Sequence, residues 1–268
     1  FTPTPPALIN SNADRDALLH RYGVESIHRL AVKRDIMSTS WRNFLENLLE
    51  EGAAGFVCGD DFRFGHKGEG SAEKLQMFCR ERQLPCIIVP EQVLEGIRIS
   101  STHIRSLIES GDMETAAKFL SHPHILSGCV HPGQQLGRKL GVPTANLQLP
   151  EGLAVPKFGV YACRVNLDRI YYPAVTNIGT RPTVSGQGIT VEPWILDYSG
   201  DLYGQEITLE FFHFLRPERS FESLEALRQE TPVGRNGKPE DVAKAFSYLA
   251  DAEFVTGDVL SVSGGYVI

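Results

Sequence analysis

The hydrophobic period of this 268-residue chain changes once, near residue 124, and that change limits the fold to two different layers in series. Before it, helical patterns alternate with short apolar runs. Trp41, Phe44, Leu45, Leu48 and Leu49 recur at i, i+3, i+4, i+7 and i+8, and Gly52 follows as a helix stop. Gly55–Cys58 reads as a buried strand leading into a loop with Gly59, Gly65, Gly68 and Gly70. Ser71 opens a helix with Leu75, Phe78 and Cys79 on one face, and Cys86–Val89 reads as a second strand. Two short helices are expected near 101–109 and 112–120, capped by Ser101 and Asp112. This alternation predicts an α/β domain with a parallel sheet. From 124 the period is two: Tyr161, Cys163 and Val165 alternate with their neighbours, as do Ile207, Leu209 and Phe211. Further β-rich runs at 125–130, 171–177 and 190–198 are separated by turn signals at 132–133, 185–188 and 199–201. About six short strands at such spacing predict a small antiparallel barrel. A helix is expected from Phe221 to Glu230.

Composition excludes some functions. A net charge of −7 argues against a general nucleic-acid or anionic-membrane surface, and no apolar run approaches a membrane span. The five cysteines are an odd number without a C-x-x-C pair, and most lie in apolar stretches. They are expected to be buried, reduced thiols, which places the chain in the cytoplasm. Phe1-Thr2-Pro3-Thr4-Pro5-Pro6 reads as the interior of a longer polypeptide.

The segment with the most chemistry is Leu136-Gly137-Arg138-Lys139-Leu140-Gly141-Val142-Pro143-Thr144-Ala145-Asn146. It combines glycines that permit close backbone approach, cations, and two oxygen-bearing side chains two residues apart. Phosphate and Mg²⁺ need these features, and no Walker-type glycine loop occurs elsewhere. By composition alone the segment reads more readily as a glycine-rich barrel turn.

G-R-x-L-G-x-P-T-A-N resembles the signature of riboflavin kinases. Gly159-Val160-Tyr161, Asn177-Ile178-Gly179-Thr180-Arg181-Pro182-Thr183, Val191-Glu192, Asp201-Leu202-Tyr203-Gly204 and Leu215-Arg216-Pro217-Glu218 follow in that family's order. The resemblance implies that residues 121–230 form a kinase barrel taking ATP with Mg²⁺ and converting riboflavin to FMN. It carries nucleotide and metal binding to Thr144 and Asn146, with Gly137, Arg138 and Gly141 in the same ATP segment. It also makes Glu192 the general base for the ribityl hydroxyl. Partial burial between face-mates Thr190 and Trp194 would make that carboxylate a better proton acceptor. Relatives often carry His at the position of Trp194.

Residues 1–120 resemble the FMN adenylyltransferase half of bacterial bifunctional FAD synthetases, a Rossmann-like nucleotidyltransferase domain, here in part. Phe1-Thr2-Pro3-Thr4-Pro5, Gly59-Asp60-Asp61-Phe62-Arg63-Phe64-Gly65 and Ile99-Ser100-Ser101-Thr102-His103-Ile104-Arg105 carry the match. Gly59, Asp61, Ser100, Ser101, Thr102 and Arg105 are the expected nucleotide or anion positions, because free amides and hydroxyls at a helix start favour anions. A plain capped helix fits the second motif as well. The family's His-x-Gly-His motif does not occur, and Thr4 stands where relatives have His, so impaired adenylyl transfer is expected.

Residues 231–268 resemble the C-terminus of short-chain dehydrogenase/reductases, through Thr231–Ala243, Phe254–Leu260 and Ser263–Tyr266. No Tyr has Lys four residues on, so the tail lacks that family's catalytic pair. Two other readings follow from it: a nicotinamide-dependent reductase, or a non-catalytic chimera whose tail mediates subunit association.

Overall fold

The computed structural model describes residues 5–31, 34–132, 145–167, 170–183 and 186–218, with backbone alone at 35, 181–183 and 186–187. The expected helix at 221–230, the 231–268 tail and the 133–144 segment lie outside the described residues. Two compact units result: residues 20–100, and residues 5–19 with 101–218. Residues 101–120 therefore pack with the barrel, whereas the sequence places a boundary after residue 120. The reason is local. Helix α6 (Met113–Leu120) buries Met113, Ala116 and Phe119, and it lies against the barrel strands introduced below.

The 20–100 unit contains α2 (Arg34–Ser38), α3 (Trp41–Glu50), β1 (Phe56–Gly59), a 3₁₀ turn (His66–Gly68), α4 (Ala72–Arg82), β2 (Cys86–Val89) and a small hairpin of β3 (Val93–Leu94) and β4 (Ile97–Arg98). It also takes the end of α1 (Asn12–Arg21). Ser40 and Ser71 cap α3 and α4 by accepting from the amides of Asn43 and Lys74, so both helix starts follow from side-chain oxygens that satisfy free N–H groups. Strands β1 and β2 run parallel, Phe56 opposite Cys86 and Cys58 opposite Ile88. Leu45, Phe64, Leu75, Phe78 and Cys79 form the core beside them.

The expectation that Gly55–Cys58 is a buried strand needs correction. Val57 is 67% and Ile87 60% exposed, because helices cover only one face of this two-stranded sheet. All five thiols are free, but only Cys79 and Cys163 are fully buried; Cys58, Cys86 and Cys129 are half-buried. Burial, then contact with Cys86, pushes the Cys79 thiol up to about 11, and burial pushes Cys163 up to about 12. Both are protonated and unreactive at neutral pH.

In the other unit, α5 (Ser101–Ser110) and α6 precede β5 (His124–His131), β6 (Asn146–Gln148), β7 (Gly159–Leu167), β8 (Ile170–Thr183), β9 (Gly186–Ile195) and β10 (Glu206–Pro217). Asp112 caps α6 as expected, accepting from Thr115. Helix α5 begins at Ser101 itself, so the position before it is Ser100, one residue earlier than the expected cap. The six strands close as β10-β5-β6-β9-β8-β7, with every neighbouring pair antiparallel. Ile207, Leu209 and Phe211 point inward with Tyr161, Cys163, Val165, Ile178 and Val191, as the period-two pattern requires. The turn expected at 185–188 is shorter, since Gly186–Gly188 already pair with Arg181–Thr183 in the β8–β9 ladder.

Candidate active site on the outer face of the barrel

Strand register brings the expected kinase residues together. Leu147 pairs with Val191 across β6 and β9, and the Ala145 N–H donates to the Pro193 carbonyl at 2.9 Å. Between these two contacts, Asn146 stands directly across from Glu192. On the other side of β9, Asn177 is the register partner of Glu192, and across β5 and β6 His131 is the partner of Asn146. Four polar residues, His131, Asn146, Glu192 and Asn177, therefore form one row across four adjacent strands. Opposed residues in antiparallel strands project from the same face. Leu147, Ile178 and Val191 are buried toward the interior, so this row faces outward. Glu192 is half-buried, as are Asn146, Asn177 and the face-mates Thr190 and Trp194.

A carboxylate between two carboxamides can take a proton from a bound hydroxyl while the neighbours donate or accept hydrogen bonds. The oxygens of Asn146 and Glu192 are the hard donor type that suits Mg²⁺, which commonly keeps most of its water and phosphate ligands and needs few from protein. Among the described residues there is no cluster of three or more His, Cys, Asp or Glu that could hold a metal.

Gly137, Arg138, Gly141 and Thr144 lie outside the described residues; Asn146 is the described end of that segment. Sequence reasoning passed over His131 and gave Asn177 no role. Their signal was the ladder, which local patterns do not carry.

The second expected set is divided between the units. In the 20–100 unit, Gly59 ends β1, and Asp61 is ion-paired with Arg98 at 3.0 Å; Arg98 also reaches Glu91 at 3.2 Å. Ser100 closes that unit. In the other unit, Ser101 and Thr102 are exposed in the first turn of α5. The Arg105 Nε is buried with no hydrogen-bond partner.

Comparison with known proteins follows this division. Residues 1–103 match the family profile described as FAD synthetase, and residues 120–232 that described as riboflavin kinase. Residues 216–267 match a third, described as enoyl-(acyl carrier protein) reductase. The chain is 38% identical over 232 residues to a bifunctional riboflavin kinase/FMN adenylyltransferase of Pseudomonas fluorescens, covering 85% of this chain and 74% of that one. The protein of the same description from Listeria monocytogenes is 30% identical over 235 residues, covering 87% and 73%. A solved structure from Streptococcus pneumoniae, described as a macrolide-efflux protein, superposes with a TM-score of 0.74 at 30% identity, over 91% of this chain and 76% of that one. No described helix here is long and apolar enough to cross a membrane. The closed barrel, the Asn146–Glu192 pairing and relatives that match across most of both chains lead to one assignment: this chain belongs to the bifunctional riboflavin kinase/FMN adenylyltransferase family.

Proposed function

We propose that this riboflavin kinase uses Glu192 to take the proton of the ribityl 5'-hydroxyl as that oxygen attacks the γ-phosphorus of ATP. The register that sets Glu192 between Asn146 and Asn177 is the observation that supports this reading. A hydroxyl is a weak nucleophile, and a carboxylate within hydrogen-bonding reach accelerates its attack by about 10²- to 10⁴-fold. Asn146 and Thr144 would hold the nucleotide as its Mg²⁺ complex, with Gly137, Arg138 and Gly141 lining the phosphates. Bound there, Mg²⁺ would neutralise charge on the transferring phosphoryl group. The bond from the γ-phosphorus to its bridging oxygen breaks as the new one forms, and FMN and ADP leave as products, within FMN and FAD biosynthesis.

Glu192→Gln tests this. It keeps the shape and removes the base, so FMN formation followed by chromatography should fall by about 10²-fold or more while ATP binding persists. Retention of a tenth or more of wild-type turnover would remove Glu192 from the role. The same assay, fed FMN in place of riboflavin, measures FAD formation. We also carry forward the division into 1–120, 121–230 and 231–268 by ancestry, which the profile matches at 1–103, 120–232 and 216–267 support. A cytoplasmic location is proposed with it, supported by five free thiols.

A further inference from the structure

Three of the chain's five cysteines meet in the 20–100 unit, where the phosphoryl-transfer chemistry uses none of them. Cys58 lies in β1, Cys79 in α4 and Cys86 at the start of β2. Strand parity puts them on one side. Val57 and Ile87 face solvent, so Cys58 and Cys86 point the other way, against the core that contains Cys79. The turn out of α4 then closes the distance. Gln83 stops the helix in the left-handed region at φ 55°, and the Leu84 N–H donates to the Cys79 carbonyl at 2.9 Å. The chain thus folds back on Cys79 before β2 begins, and the Cys79 and Cys86 thiols are in hydrogen-bonding contact. Cys79 is fully buried, whereas Cys86 is half-buried and partly open to solvent.

Contacting thiols need little backbone movement to join, and the unequal exposure divides their roles. We infer that Cys79 and Cys86 are a reversible redox pair, reduced in the resting protein and oxidised by hydroperoxides to a disulfide that ties α4 to β2. The Cys86 sulfur attacks the peroxide O–O bond, becomes a sulfenic acid and releases water. The Cys79 sulfur then displaces hydroxide from the Cys86 sulfur, and the Cys79 proton leaves with it as a second water. The two thiols give up two electrons and two protons in all, and hydrogen peroxide is reduced to water. Burial keeps Cys79 protonated at neutral pH, so it is inert as the first attacker and slow in the closing step, which gains speed as pH rises. A dithiol or glutathione reverses the bond by thiol–disulfide exchange.

The test treats the full, reduced chain with hydrogen peroxide at about pH 8.5, where the closing step is faster. Peptide mapping by mass spectrometry should join Cys79 to Cys86, and dithiothreitol should return both as free thiols. Dimedone added with the peroxide should label Cys86 and not Cys79. Trp41 packs against the core around Cys79, so its fluorescence in a Trp194→Phe background follows unfolding of the 20–100 unit. Closing the short loop should raise that unit's thermal midpoint by about 5 °C or more. Cys86→Ser should abolish both the crosslink and the rise. Mapping is done on the unmutated chain, so it decides the matter even if the serine variant folds poorly. A bridge between Cys58 and Cys86, dimedone on Cys79, or two thiols that stay free under peroxide would overturn the inference. A midpoint that the crosslink leaves in place would overturn it as well.

Discussion

Replacing His124 with leucine should make the barrel unit less sensitive to mild acid, by an amount the structure sets. His124 begins β5 opposite Phe211, its ring 5.9 Å from that of Phe211, and it is 0% exposed. Neither Nδ1 nor Nε2 has a hydrogen-bond partner. Burial, reinforced by His122, pushes the imidazole down to about 3. The unfolded chain takes up a proton near 6.5, so between 6.5 and 3 it binds one more proton than the folded chain, and stability falls as pH drops through that window. Each unit in the window is worth about 1.4 kcal/mol, and moving from pH 7.5 to pH 5 should cost the wild type about 2 kcal/mol through this group alone. His124→Leu abolishes that share. It also removes two unpaired polar atoms from the interior, which should leave stability at pH 7.5 equal or higher. Urea unfolding at both pH values gives the difference. The chain's tryptophans are Trp41 in the 20–100 unit and Trp194 in β9, so a Trp41→Phe background makes fluorescence report on the barrel. If wild type and variant lose the same stability between pH 7.5 and pH 5, to within about 0.5 kcal/mol, the buried neutral imidazole is not the cause.

Two further outcomes test the packing that supports the site. Arg164 binds the buried Glu210 carboxylate through Nε at 2.9 Å and through Nη2, with its guanidinium 4.1 Å from the centre of the Tyr171 ring. Arg164→Ala strands that carboxylate, and because the arginine is 41% exposed, solvent limits the expected loss to about 1–3 kcal/mol in urea unfolding. Arg164→Met with Glu210→Leu should recover most of it, and a double variant as unstable as the single one would refute the account. Gly128 lies where a Cβ would be 2.6 Å from the Gln148 carbonyl oxygen. Gly128→Ala should therefore push β5 from β6, cost about 1–3 kcal/mol, and raise KM for ATP by displacing Asn146; unchanged thermal unfolding would contradict it.

The barrel and its inward residues were legible because a two-residue period is written locally, as in Ile207, Leu209 and Phe211. The starts of α4 and α6 were legible for a similar reason, since Ser71 and Asp112 act on amides three residues away. His124 was within reach too: it keeps the inward parity of Leu126 and Val130. The exposure of Val57 was not, because a short apolar run does not say how many strands and helices will surround it. The site row was least legible of all. Glu192 and Asn146 are far apart in sequence, and no local pattern encodes the β6–β9 neighbourhood that joins them.

Pro193 shows why that neighbourhood is unusual. Proline inside a strand argues for an edge, since it cannot donate to the ladder, yet Pro193 lies in a closed barrel beside Glu192. Its carbonyl accepts from Ala145, and the reciprocal bond that another residue would return is lost. β6 is only three residues long, and its ladder with β9 has a single register pair, Leu147 with Val191. Among the described residues, the seam between β6 and β9 thus has the fewest register pairs of the barrel's strand pairs. It is also where Glu192, the proposed base, stands across from Asn146, the described end of the proposed nucleotide segment. Leu147, buried at 3% exposure, anchors this short strand to the core, while its neighbour Asn146 lies on the outward row. The proposed binding role and fold stability therefore fall to adjacent residues, with the polar side chain outward on the row and the apolar one inward in the barrel.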